Sequence, residues 1–115
     1  MKMVMQDNEV IIKEGKANSF NLFLSKGGSL AVTNQRVLWH GHGFNIGGQA
    51  DVIKLEDIVA YGKCFTISIF MLLLPIPNAF YISTNSGKTY KYTVFGRKIW
   101  IETLKKAIQD ARKKG

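Results

Sequence analysis

Gly28-Ser29-Leu30-Ala31-Val32-Thr33-Asn34-Gln35-Arg36-Val37-Leu38-Trp39-His40 decides the fold, because two apolar-rich runs meet there across a polar pair. A polar pair between runs of β-branched and aromatic residues reads as the two-residue loop of a β-hairpin. With Asn34 and Gln35 at the tip, Val32 faces Val37, Ala31 faces Leu38 and Leu30 faces Trp39. The period of two then gathers Leu30, Val32, Val37 and Trp39 on one face, to be buried. Thr33, Arg36 and His40 are left on or near the outer side.

Upstream, residues 9–13 and 17–24 are rich in β-branched and aromatic side chains around Gly15, which predicts one kinked strand or two short ones. Residues 25–28 then turn the chain. Downstream, His40-Gly41-His42-Gly43 and Asn45-Ile46-Gly47-Gly48 predict a flexible, glycine-rich loop. A His-x-His pair on a strand puts both imidazoles on one face, a spacing compatible with zinc. No cysteine lies near it and no motif supplies an acidic ligand, so a loop histidine pair without a metal is the better reading. The glycines match neither the dinucleotide fingerprint nor the Lys-Ser/Thr ending of a phosphate-binding loop. Residues 51–55 alternate as a half-buried strand, and 58–61 resume it after Glu56 and Asp57. Adjacent carboxylates on an extended chain point to opposite faces, so these two mark a bulge or turn and not an acid–base pair.

Residues 78–95 predict a second hairpin with Asn85-Ser86-Gly87 at its tip. A three-residue loop pairs Thr84 with Lys88, Ile82 with Tyr90 and Phe80 with Tyr92. It collects Phe80, Ile82, Tyr90, Tyr92 and Val94 on one face, with Tyr81, Ser83, Lys91 and Thr93 on the other. Tyr81 beside Lys91 resembles a base-stacking surface, but no RNA-binding motif accompanies them, and nucleic acid is not an expected partner. From 97 to 113 the period becomes helical: Trp100, Leu104, Ala107, Ile108 and Ala111 form a stripe bordered by Ile101. So narrow a stripe, with one large and two small members, suits a helix docked on the open end of a small barrel better than one lying on a membrane.

The order of these segments resembles that of GRAM domains, members of the pleckstrin-homology-like superfold. Gly28-Ser-Leu-Ala-Val-Thr-Asn-Gln-Arg36 is similar to the family's Gly-x-Leu-x-Leu-Thr-Asn-x-Arg segment. Glu9-Val-Ile-Ile12 ahead of Ala17-Asn18, Ile53-Lys-Leu-Glu-Asp-Ile58, Phe80-Tyr-Ile-Ser-Thr84, Gly87 and Tyr90-Lys-Tyr92 before a closing helix fall in the family's order. The resemblance covers about residues 9 to 112 and implies an α+β fold: a PH-like barrel of about seven antiparallel strands, in two bent, packed sheets, capped by one C-terminal amphipathic helix. It also implies a first loop that presents bases to a phosphoinositide headgroup. Here that loop offers only Lys26, with Lys13 and Lys16 nearby, so such a pocket is not supported.

At 115 residues the chain is one domain, read as 9–115, behind a polar, flexible segment 1–8 that lacks the pattern of a secretory signal. Its single cysteine, Cys64, has no partner for an internal disulfide, which points to a reducing, cytoplasmic location. No nucleophile, base and orienting partner can be assembled from motifs, and Cys64 sits in an apolar strand where a thiol is inert, so no enzymatic activity and no cofactor are expected. The net charge of +8 is uneven: through Ile58 bases and acids balance, whereas after it only Glu102 and Asp110 oppose ten bases. An anionic surface is the natural partner of that second half, against the alternative of plain solubilising charge.

Within the basic half lies a run that breaks the alternation. Phe65, Ile67 and Ile69 alternate with Thr66 and Ser68, but residues 70–76 are all apolar or proline. The run is too short for a transmembrane helix, which needs ~20 residues. Pro75 and Pro77 lack backbone donors and predict a turn or strand exit over 74–78. Three uses compete for this segment: burial in the domain's own core, packing against a second chain or another protein, or insertion into a membrane. The expected function is a non-catalytic binding module for anionic membrane lipid, with Phe70, Met71, Leu72, Leu73, Leu74 and Ile76 as the greasy contact and Lys63, Lys88, Lys91, Arg97 and Lys98 facing headgroups. A protein-interaction or homo-oligomerisation module using the same apolar residues is the alternative.

Overall fold

The computed structural model describes residues 5–20, 25–41, 50–68 and 74–114. Seven strands run in chain order: β1 Ile11–Phe20, β2 Ser25–Thr33, β3 Arg36–Gly41, β4 Ala50–Lys54, β5 Ile58–Ser68, β6 Leu74–Thr84 and β7 Thr89–Val94. The helix α1, Arg97–Lys114, follows them. They form one antiparallel sheet in the order β4-β3-β2-β1-β7-β6-β5. Both hairpins have the expected register, with Val32 opposite Val37 and Leu30 opposite Trp39 in the first, and Ile82 opposite Tyr90 and Phe80 opposite Tyr92 in the second.

The sheet is bent over on itself about β1, which pairs with β2 along its length but, among the described residues, with β7 through Ala17, Asn18 and Ser19 alone. Side chains from strands that are not neighbours therefore meet. Trp39 on β3 and Tyr92 on β7 approach to 6.4 Å between ring centroids, with Phe80 5.9 Å from Tyr92. The Tyr92 hydroxyl donates to Asp51 Oδ2 on β4 at 2.7 Å, and the Trp39 indole N–H donates to the Ala17 carbonyl at 3.0 Å. Burial, followed by the Asp51 carboxylate, pushes the Tyr92 hydroxyl far up, so it stays a neutral donor. The inner faces of both halves join one core, which the α1 stripe of Trp100, Leu104, Ala107 and Ile108 closes.

Four local readings are corrected. Residues 25–28 are not a turn: β2 begins at Ser25, and Ser25, Lys26, Gly27 and Gly28 pair with Phe20, Ser19, Asn18 and Ala17 of β1. Gly15 does not break β1, whose irregularity lies instead between Ile11 and Lys13. Residues 74–78 are strand and not a turn or exit, since a proline is tolerated where only one neighbour is paired. Thr33, expected outside, is completely buried. The carboxylates Glu56 and Asp57 sit in a short 3-10 turn, Leu55–Asp57, between the two free edges of the sheet, as a turn reading requires.

Candidate functional site

Two regions of the structure carry unusual chemistry. The first is the tip of the first hairpin, where Thr33, Asn34, Gln35 and Arg36 grip the chain ahead of β1. The Arg36 guanidinium donates from Nε to Glu9 Oε2 at 2.8 Å and from one terminal nitrogen to Oε1 at 3.0 Å, and the Thr33 hydroxyl donates to Oε2 at 2.6 Å. The Glu9 side chain is wholly buried in this grip and that of Arg36 is 11% exposed. Asn34 accepts from the Val10 N–H at 2.8 Å and donates to the Asn8 carbonyl at 2.9 Å, while Gln35 donates to the Asp7 carbonyl at 2.8 Å. Asn8 itself turns with φ +62°, a left-handed conformation that asparagine tolerates. Burial raises the Glu9 carboxyl, but the hydrogen bonds from Arg36, the Gln6 N–H and Thr33 outweigh it, so the group lies below its ordinary value. The turn thus holds the chain from Asp7 on, two residues ahead of the boundary drawn from composition. Beside it is an open cleft of about 430 Å³ lined in part by Gln6, Asn34, Arg36, Val52 and Lys54.

The second region is the base of a two-stranded ribbon. β6 pairs with β7 only from Ala79 to Ser83, whereas its pairing with β5 continues through Ile76, Pro75 and Leu74 opposite Thr66, Ile67 and Ser68. Since β5 is the edge of the sheet, residues 74–78 of β6 have a strand on one side only. The pairing shifts register between Cys64 and Thr66, and Arg97 is anchored beside this irregularity. Its guanidinium donates to the Cys64 carbonyl at 3.0 Å and to the Ala79 carbonyl at 3.4 Å, tying the first turn of α1 to the place where the ribbon leaves the sheet. Burial pushes the Cys64 thiol up, with Lys91 and Arg97 both near enough to pull it the other way. Substituting Arg97 by alanine is expected to cost about 1–2 kcal/mol, because carbonyls at the irregularity lose a charged donor. Thermal melting measures the loss.

The candidate bases are thereby sorted. Lys63 pairs opposite Phe80 and Lys91 opposite Tyr81, both within two residues of the Cys64–Ala79 pair, and Lys98 follows Arg97 on α1. Lys88 is elsewhere: it adjoins the 85–87 turn, with its ammonium 4.8 Å from the Tyr90 ring centroid. β6 is 11 residues long, so roughly 35 Å of strand separates Lys88 from Leu74. Phe70, Met71, Leu72 and Leu73 lie outside the described residues, as does His42, and of Leu74 and Ile76 only the backbone is described. Among the described residues, no three of His, Cys, Asp or Glu cluster as metal ligands would, and no helix is long and apolar enough to cross a membrane.

The sequence reading missed Glu9 as the partner of Thr33 and Arg36, and it missed Phe95. Phe95 is 90% exposed directly after β7. A signal for it existed, since alternation from Val94 puts Phe95 on the outer face with Thr93 and Lys91.

No family model matches the sequence, and no curated protein matches it. Solved structures do. The C-terminal domain of an unknown protein from Leishmania infantum superposes with a TM-score of 0.70 at 16% identity, covering 88% of this chain and 85% of that one. The Vps36 N-terminal PH domain gives 0.69 at 10% identity, covering 93% and 84%. The DH/PH fragment of PDZRHOGEF in complex with human RhoA gives 0.64 at 13% identity, covering 89% of this chain and 29% of that chain. The seven-stranded antiparallel sheet closed by one C-terminal helix is therefore the pleckstrin-homology-like fold.

Proposed function

We propose that the protein is a non-catalytic binding module of GRAM type that associates peripherally with anionic membrane lipid on the cytoplasmic side. The carrying observation is the ribbon: β5 and β6 stay paired past the point where β7 stops. The apolar run 70–76 spans the connection between these strand ends. Among the described residues no third strand shields this ribbon, which favours a use outside the domain's own core. Lys63 and Lys91 flank its base on opposite faces of the sheet, Lys98 follows Arg97 on α1, and from residue 58 through 101 the chain has no acidic residue at all. A greasy contact ringed by cations is the combination that binds anionic bilayers, in which each surface base contributes about 1 kcal/mol. Arg97 serves the site by fixing the ribbon to α1. The Thr-Asn-x-Arg segment behind the GRAM assignment has a structural task, to clasp Glu9.

Co-sedimentation with vesicles of phosphatidylcholine, with and without phosphatidylserine, tests this reading. Pelleting is expected only with phosphatidylserine and is expected to weaken with salt as the charges are screened. Replacing Leu73 and Leu74 together by serine is expected to reduce it at least about tenfold, since each buried leucine contributes ~1.5–3 kcal/mol. If instead the protein ignores vesicles and scatters light as a multimer that the double substitution dissociates, the apolar run belongs to an interface between chains. If the substitution only lowers the melting temperature, the run belongs to the core.

A further inference from the structure

Phe95 is 90% exposed, and Ile99 is 58% exposed four residues later. The local sequence gives Phe95 an obvious place to hide. Gly96 adopts φ +69° and its carbonyl accepts from the Ile99 and Trp100 N–H groups at 2.9 and 3.2 Å, so it caps α1. Phe95 then precedes the cap, and a residue at that position ordinarily packs against the fourth residue of the helix as a hydrophobic staple. That fourth residue is Trp100, which is 3% exposed and committed to the core. The staple is not made, and a full aromatic ring is left in water with no compensating contact.

Its position ties it to the ribbon. Phe95 lies between Thr93, which pairs with Ala79, and Arg97, which donates to the Ala79 carbonyl, so both neighbours along the chain converge on the ribbon's base. By alternation it shares the outer face with Lys91, and Lys98 stands between it and Ile99 in sequence. Lys91, Arg97 and Lys98 lie close by in the chain, against one acid, Glu102, which is exposed one turn beyond Ile99 on α1.

We infer that Phe95 and Ile99 form a second membrane contact, seated in the interfacial layer of an anionic bilayer, with Lys91 and Lys98 on the phosphates around them. The occupant is lipid because the patch sets exposed apolar side chains beside an excess of cations, Lys91 and Lys98 against Glu102, which matches an acyl boundary beneath anionic headgroups. The inference rests on the membrane reading given above and adds to it residues outside the ribbon. Two points of contact, one on the ribbon and one at the start of α1, fix how the domain tilts on the surface.

The test uses the full chain and the same two kinds of vesicle. Phe95→Ser is expected to weaken partitioning onto phosphatidylserine vesicles roughly tenfold, the loss expected when one aromatic ring is no longer removed from water. Its melting temperature should remain that of the wild type, since Phe95 packs on nothing. In a second variant, Phe95→Trp, the new indole joins Trp39 and Trp100, both already buried, so a blue shift on adding phosphatidylserine vesicles reports Phe95 itself leaving water. If the wild type binds these vesicles, Leu73→Ser/Leu74→Ser abolishes binding and Phe95→Ser does not alter it, the second contact is overturned while the membrane reading stands. If the wild type binds no vesicles and Phe95→Ser alone dissociates a multimer seen by light scattering, the patch is a protein interface and the inference is overturned together with the membrane reading.

Discussion

Gly28→Ala is expected to lower the melting temperature by roughly 15 °C or more, the equivalent of at least ~3 kcal/mol in a domain of this size. A Cβ built on Gly28 collides with the His40 carbonyl oxygen and comes within 2.8 Å of Cζ2 of the Trp39 ring. Neither can yield. The His40 oxygen belongs to the backbone of β3, which is held on both sides by β2 and β4. The Trp39 ring is fixed by its hydrogen bond to Ala17, and it packs against Tyr92. A methyl group at position 28 must therefore push apart the two strands of the hairpin that begins the core, and overpacking against backbone is the costly kind. Calorimetry of the purified variant decides this, and a shift smaller than about 3 °C would mean that the Trp39 ring has another resting place.

Arg36→Ala is expected to cost about 3 kcal/mol at neutral pH, because it leaves the wholly buried Glu9 carboxylate without its cation. The cost is held at the lower end of that expected for a broken buried pair, since Glu9 lies ahead of β1, outside the sheet. Releasing the segment around residues 7–10 returns the carboxylate to water for the loss of a few hydrogen bonds. The variant should accordingly show fast hydrogen exchange at the Val10 and Asn34 amides, which bond across the clasp in the wild type. The pH dependence has a definite sign. The folded Glu9 carboxyl lies below its ordinary value of 4.5, so its contribution is fully present above 4.5 and is lost as the pH falls through the lowered folded value. Glu9→Gln, which cannot ionise, should flatten this part of the acid-denaturation curve. An unchanged acid slope in Glu9→Gln would assign the loss to other carboxylates.

The registers of both hairpins could be read from residue order because the alternation of large apolar side chains changes face when a strand slips by one residue. Lys91 opposite Phe80 would have spoiled the second hairpin, and the observed three-residue turn avoids it. Alternation tells which face a residue takes, however, and not what covers that face. Parity therefore puts Thr33 on or near the outer side, whereas its cover, Glu9, comes from 24 positions upstream through a clasp with no periodic signal. The prolines at 75 and 77 read as strand breakers because their missing donors matter in a central strand. The strand that carries them is paired on one side only, a fact of sheet order invisible in the local sequence. Phe95 was legible by parity, but its exposure depended on Trp100 being drawn into the core.

The junction of β1 with β7 also governs how the chain reaches this fold. Ala17 finds its partner Val94 across most of the sequence, and among the described residues Ala17, Asn18 and Ser19 bridge the two halves of the sheet. Closing so long a loop is slow compared with forming either hairpin, so this encounter is expected to limit the rate of folding. On the ribosome, the first four strands are made long before β7 emerges, and the edge of β1 at 17–19 stays open throughout that interval. The sheet's late closure is thus the period in which the nascent protein is most exposed to pairing with a strand that is not its own.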